Sequence, residues 1–305
     1  MIKFDNKKEK FLKNKIVNIQ YEKGHSLWKD SIKSLFHNKM SFLGLIIVVF
    51  LIFFSVLGPY FVKYSYYSQN IVIGAVPPSM QHLLGTDQLG RDLLVRIMHG
   101  GRVSLAVGVC ATLVSLIIGV SYGAFSGYIG KKTDSVMMGA VDAMYAIPFT
   151  MLVIILMVWF GRNFILIFIA IGAVEWLTMA RIVRGEVLSL KHREFIDSAR
   201  ALGLSTPKII FRHLIPNLLG VIVIYATLTI PRVMMIEAFL SFLGLGIQPP
   251  MSSWGLLIKD GAQVMEVYPW LLFFPSLFFS VALFAFNFLG DGLRDALDPK
   301  RRNQK

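Results

Sequence analysis

Arg193-Glu-Phe-Ile-Asp-Ser-Ala-Arg-Ala-Leu-Gly-Leu-Ser-Thr-Pro-Lys-Ile-Ile-Phe-Arg-His-Leu-Ile-Pro-Asn217 is the most heavily punctuated stretch of this chain. Phe195, Ala199 and Leu202 recur at i, i+4 and i+7, which predicts one apolar face of a short helix. Gly203 supplies the left-handed conformation that commonly closes a helix. Thr206-Pro207 then suits a helix start, with Thr as N-cap and Pro at the first helical position, and Pro216 is expected to break that second helix. The reading is a helix–turn–helix elbow, small at its bend and basic on its flanks. A short rigid helix projecting from a larger body suits a groove on a soluble partner. Glu194, Asp197, Ser198, Ala199, Gly203, Ser205 and Pro216 are therefore the candidate coupling residues.

The elbow lies between long apolar runs. Of 305 residues, 55% are hydrophobic and only 16% charged, against about 25% charged in an ordinary soluble domain. The mean hydropathy is +0.62. Six stretches approach the roughly 20 apolar residues that a membrane-crossing helix needs: 42–61, 103–128, 135–160, 164–180, 218–243 and 269–289. They lack the alternation of barrel strands. The first begins after 41 residues, too late for an ordinary cleavable signal, and reads as an uncleaved anchor. The fold class expected is all-α, a polytopic membrane protein with six transmembrane helices. Its segments are a basic amino-terminal part (1–41), the first crossing (42–61), an extracytoplasmic segment (62–102), a five-helix core (103–289) holding the elbow (193–217), and a basic tail (290–305).

Orientation follows from the basic residues. With the amino terminus inside, the inside segments hold 24 of the 31 Lys and Arg, and the opposite orientation reverses the bias. Both termini are thus expected in the cytoplasm. The formal charge of +13 is explained by topology and by anionic lipid headgroups, not by nucleic acid.

The first outside segment carries Gly85-Thr-Asp-Gln-Leu-Gly-Arg-Asp92, followed by Leu93-Leu-Val-Arg-Ile-Met98, whose apolar residues suit a short helix along the membrane surface. Asp87, Arg91 and Asp92 are candidates for contact with an extracytoplasmic partner. The alternative is an ordinary loop in which they form ion pairs and turns. Charged residues in or near the spans are costly and therefore functional candidates, namely Asp142, Glu175, Arg232 and Glu237, with Pro148 expected to kink the third span. Asp142, Pro148, Arg232 and Glu237 form the candidate pathway or gate, the alternative being internal pairing. Ser115, Gly119, Gly123 and Gly127 form a small-residue face suited to close helix packing. The six histidines show no metal-ligand spacing, and no metal site is expected. Gly127-Tyr-Ile-Gly-Lys-Lys-Thr133 lacks the first glycine of a nucleotide-binding loop and has Lys132 where Ser or Thr belongs.

The elbow resembles the cytoplasmic signature of permease subunits of bacterial ATP-binding-cassette importers: Glu-Ala-Ala, three residues, Gly, nine residues, Ile-x-Leu-Pro. Asp197-Ser198-Ala199, Gly203, His213, Ile215 and Pro216 occupy those places at the same spacing, with His213 the largest departure. Gly85 to Asp92, Asp142 with Ile147-Pro148, Ala199 to Gly203, Arg212 to Asn217, and Leu240 to Gly246 through Trp254-Gly255 look like the C-type permease of dipeptide, oligopeptide and nickel importers. That resemblance implies a type I importer permease fold in a bacterial inner membrane. It implies as partners a homologous second permease, two ATPases and an extracytoplasmic peptide-binding protein, with ATP and Mg held by the ATPases and no cofactor on this chain. Peptide is the expected cargo, a nickel chelate the alternative. A secondary transporter or channel, of a different class, needs no such elbow.

Overall fold

The computed structural model describes residues 35–36, 38–160 and 164–297. The basic segment before residue 35, Arg162 and the tail beyond 297 lie outside the described residues. The described chain is helical, its one β-type pairing being an isolated bridge between Thr86 and Asp92.

Helix α1 (Lys39–Val56) starts at Asn38, whose side chain accepts from the Met40 amide. A long outer segment leads to α2 (Leu93–Ile129), followed by α3 (Lys131–Tyr145), α4 (Phe149–Phe160) and α5 (Phe164–Leu190). The elbow comprises α6 (Glu194–Ala201) and α7 (Thr206–Ile209). A π-helical turn (Ile210–Leu214) joins α7 to α8 (Ile215–Phe242), and α9 (Trp254–Ala262) and α10 (Trp270–Leu297) complete the chain.

Among the described residues, α1, α2, α10 and the run from Thr206 to Phe242 are each long and apolar enough to cross a membrane. The α3–α4 pair makes a fifth if its two halves count as one crossing. Helix α5, which carries Glu175, Arg181 and Arg184, is not in that set.

Several expectations are corrected. The third span is not one kinked helix: α3 and α4 meet at a bend of 83°. Pro148 has no amide hydrogen and its ring crowds the carbonyl four residues back, so α3 stops at Tyr145. Leu93–Met98 is not a surface helix but the first turns of α2. Asp92 caps it by accepting from the Val95 amide, and Leu93, Val95 and Ile97 are buried. Pro216 does not break the chain before α8. The Ile215 amide instead reaches back five residues to the Ile210 carbonyl, and the wider π turn takes up the bond that proline cannot make. The second elbow helix is entered at Ser205, one residue before Thr206, and the Ser205 side chain makes no cap bond.

Three apolar clusters hold the bundle. One joins α1, the start of α2, α8, α9 and α10 around Leu51, Ile97, Met234 and Trp254. A second joins α2, α5 and the elbow around Val183, Ile196, Ile209 and Leu214, and the third joins α2, α4, α5 and α8 around Val107, Ile171 and Val233. The small-residue face of α2 packs on α5 as its composition implies. A Cβ on Gly123 would sit 2.3 Å from the Ala180 carbonyl oxygen, and one on Gly119 2.6 Å from the Met179 Cβ. Inside a membrane such close backbone approach replaces the hydrophobic effect as a source of helix association.

Candidate functional site

The elbow is closed by local chemistry. The Leu204 amide donates to the Ala199 carbonyl (3.2 Å) and the Gly203 amide to the Arg200 carbonyl (2.9 Å), while Gly203 has φ +74°. These two bonds around a left-handed residue make a Schellman closure, which satisfies carbonyls that the helix end leaves open. Ile196 and Ala199 are buried against Ile209, Ile210 and Leu214. The expected apolar face is thereby corrected: Ala199 is inside, but Phe195 and Leu202 are exposed, at 38% and 79%. Exposed Glu194, Phe195, Asp197, Ser198 and Leu202 form the outward side, with Phe211 exposed beyond the bend. Glu194 and Asp197 lie in the first turn of α6, where the helix dipole favours negative charge. Arg200 pairs with Asp197 (3.0 Å) and donates to the Tyr128 hydroxyl (3.2 Å), fastening α6 to the end of α2. Ser205 is exposed on the connection, and Pro216 lies just beyond the π turn.

At the other end, Asp87 organises the outer segment. Its Oδ1 accepts from the Leu89 and Arg91 amides (both 2.9 Å), and its Oδ2 from Arg91 Nε (2.7 Å) and Arg96 Nη1 (2.6 Å). Asp92 caps α2 and meets His82 Nδ1 at 2.9 Å. Gly90 turns at φ +70°, where a Cβ would lie 2.0 Å from the Asn70 carbonyl oxygen. The Asp87 and Asp92 side chains point into the fold, while Val72 and Met80 of the same segment are almost fully exposed.

The intramembrane charges divide into two places. Glu237 is completely buried on α8, with Oε1 accepting from Ser241 and Ser253 (2.7 Å each) and Oε2 facing Ser104 at 3.4 Å. Ser104 also accepts from the Trp254 amide, and Ser253 caps α9 at the Leu256 amide. This cage ties α2, α8 and α9 together. Elsewhere, Pro148 and Arg232 border one cavity of about 440 Å³ between the α3–α4 break, α5 and α8. Glu175 lines it too, 3.8 Å from Arg232 Nε. Asp142 lies one turn before the break and pairs with Arg181 at 2.5 Å; the Arg181 guanidinium also covers the Tyr145 ring. The structure thus brings Pro148 and Arg232 together, sets Asp142 beside them, and leaves Glu237 apart.

Reading the sequence missed the Asp134–Arg184 pair, bidentate at 2.5 and 2.6 Å and supported by Ser126, which locks α3 to α5 and α2. It missed Arg96 as the partner of Asp87 as well. The signal available was a charged residue inside an apolar helix, and Arg184 and Arg96 both carry it. No group of His, Cys, Asp and Glu suited to a metal ion occurs among the described residues.

Residues 90–303 match the family described as the binding-protein-dependent transport system inner membrane component. Residues 26–78 match the N-terminal TM domain of oligopeptide transport permease C. The chain is 50% identical over 291 residues to the oligopeptide transport system permease protein OppC of Haemophilus influenzae, covering 95% of this chain and 93% of that one. It is 50% identical to the Escherichia coli K12 OppC over 92% of this chain and 93% of the relative. It is 44% identical to the dipeptide transport system permease protein DppC of Bacillus subtilis, over 91% and 87%. A chain of the MetNI methionine ABC transporter, solved in inward-facing conformations, shares the fold with a TM-score of 0.55 at 18% identity, covering 66% of this chain and 96% of that one. A helical bundle with apolar spans, a projecting elbow and this sequence kinship admit one conclusion: the chain belongs to the family of binding-protein-dependent transport system inner membrane components, as a multi-pass, non-catalytic permease subunit of an ABC importer with the type I fold.

Proposed function

We propose that this permease carries peptides, di- or oligopeptides, inward across a bacterial cytoplasmic membrane. The kinship that supports the cargo is half-identity to oligopeptide permeases along nearly the whole of both chains. The observation that carries the mechanism is the elbow, a short helix closed at its C-terminal end and packed through Ile196 and Ala199, which presents acidic and apolar side chains outward. In the proposed assembly, a homologous second permease completes the pathway, and two ATPase subunits bind ATP and Mg. One elbow enters a groove on each ATPase, and an extracytoplasmic binding protein delivers the cargo.

In the proposed cycle, closure of the ATPases on ATP moves the elbows as rigid bodies, and the spans rock between inward- and outward-open arrangements. Both termini lie in the cytoplasm with the elbow. Asp87, Arg91 and Asp92 hold the shape of the outer segment, and its exposed apolar residues meet the binding protein or the second permease.

Coexpression with candidate ATPases, a second permease and a binding protein tests this reading. The expected result is copurification of the subunits and peptide uptake that stops when ATP hydrolysis is blocked. Peptide uptake that continues without the ATPases would overturn it in favour of a secondary transporter.

A further inference from the structure

The cavity at the α3–α4 break sets Glu175, Thr178 and Arg232 into an otherwise largely apolar lining. Its wall includes the break at Pro148, where α3 and α4 meet at 83° and a straight helix would run on. Interrupted backbone at membrane depth is tolerated where it is buried in protein or lines a water-filled space. A second proline, Pro231, stands inside α8 next to Arg232 and removes another helical donor at the same level.

Polar side chains of α5 continue this lining. Glu175, Thr178 and Arg181 are spaced by three residues, so each is offset by roughly 60° from the one before and all three share about a third of the helix surface. Each has a polar partner across the gap: Arg232 on α8 for Glu175, Tyr145 for Thr178, and Asp142 for Arg181. These partners turn the row toward α3 and α8.

Within this row the Glu175–Arg232 pair is the open one. Its atoms stand 3.8 Å apart with no hydrogen bond between them, and Arg232 is 62% exposed while Glu175 is nearly covered. A planar guanidinium with free donors is suited to bidentate capture of a carboxylate, which a single distant counter-charge does not saturate. A peptide carries one carboxylate at a fixed place whatever its sequence, namely its C-terminus.

We propose that this cavity is a transit site for peptide cargo, in which Arg232 takes the C-terminal carboxylate and Glu175 serves as the counter-charge that Arg232 leaves to do so. This rests on the peptide-import reading above and adds the specificity-determining residue to it. Contact through Arg232 favours a free C-terminus over an amidated one at the permease itself, in addition to any preference of the binding protein.

The test uses the complete transporter in proteoliposomes, with a peptide and its C-terminal amide as cargo and the binding protein's affinity for each measured separately. For Arg232→Gln, uptake of the free-acid peptide is expected to fall about tenfold, with amide uptake little changed and copurification of all subunits retained. Arg232→Lys should restore part of the preference. Equal loss of both peptides would overturn the proposal in favour of a gate without cargo contact. Loss of copurification would overturn it in favour of a contact with the second permease, and unchanged uptake of both would overturn it outright. If the unsubstituted complex imports methionine or another solute but no peptide, the cargo reading fails and this site falls with it.

Discussion

Gly203 shows how one residue can govern an outward-facing element through its backbone alone. No atom lies within 4 Å of where its Cβ would be, so the demand on this position is purely a backbone one, φ +74°. A side chain there costs roughly 1 kcal/mol or more, and a β-branched one the most. Gly203→Val is therefore expected to insert normally but to lose ATPase copurification and most uptake, whereas Gly203→Asn should keep both, since Asn tolerates this region. Normal uptake by the Val variant would show that the elbow is a mere linker. Asp87 is the opposite case, defined wholly by its contacts. Among the described residues it is the acidic group within 3 Å of the buried Arg96 guanidinium, Asp260 standing off at 3.8 Å, and removing one partner of a buried pair costs about 3–5 kcal/mol. Asp87→Ala is thus expected to lower the yield of folded protein and its melting temperature in detergent, before any effect on binding-protein contact can be seen. A variant that folds normally but fails only in transport would favour the contact role suggested by the Asp–Arg–Asp grouping before α2.

Between elements, several polar ties join helices distant in sequence. Glu237 holds Ser241 of its own helix together with Ser253 and Ser104 of α9 and α2. Glu237→Gln keeps the shape and an acceptor, and should leave uptake and melting close to normal. Glu237→Leu leaves buried hydroxyls without their acceptor, at about 1–3 kcal/mol for each unsatisfied group. It should lower the melting temperature and loosen the segment from Ser253 to Ala262, which hydrogen exchange would detect. If Glu237→Gln abolishes transport at unchanged stability, the residue belongs to the pathway after all. The Pro216 junction makes a related point about local rules. Proline predicts an interruption, but a helix can widen by one residue instead and run through it, as the π turn does from Ile210 to Leu214.

For the whole molecule, six crossings with the amino terminus inside would put 24 of the 31 Lys and Arg on the inner side, an expectation that labelling can measure. After replacement of Cys110, a cysteine at Ser205 should be labelled only from the cytoplasmic side and one at Met80 only from outside. Both positions are exposed on the permease itself, so with the permease expressed without its partners failure to react would report location and not burial. Labelling at Ser205 in intact cells by an impermeant reagent would reverse the orientation and remove the elbow from the ATPases.

The long apolar runs, the left-handed bend at Gly203 and the small-residue face from Ser115 to Gly127 were legible in the sequence because each is a short-range property. Apolar length, a backbone angle and a helical repeat need no knowledge of distant residues. The partners of the charges were not legible. Asp134 with Arg184 and Glu237 with Ser104 depend on which helices pack together, and that depends on matching surfaces far apart in the chain. The same holds for Leu93–Met98, whose amphipathic pattern suits a membrane surface and a buried first turn equally well. Trp254, Leu257 and Leu271, more than 150 residues away, cover it and settle the choice. The cavity beside Pro148 needed both kinds of information: proline chemistry for the break, and the packing of α5 and α8 to bring Glu175 and Arg232 to its wall.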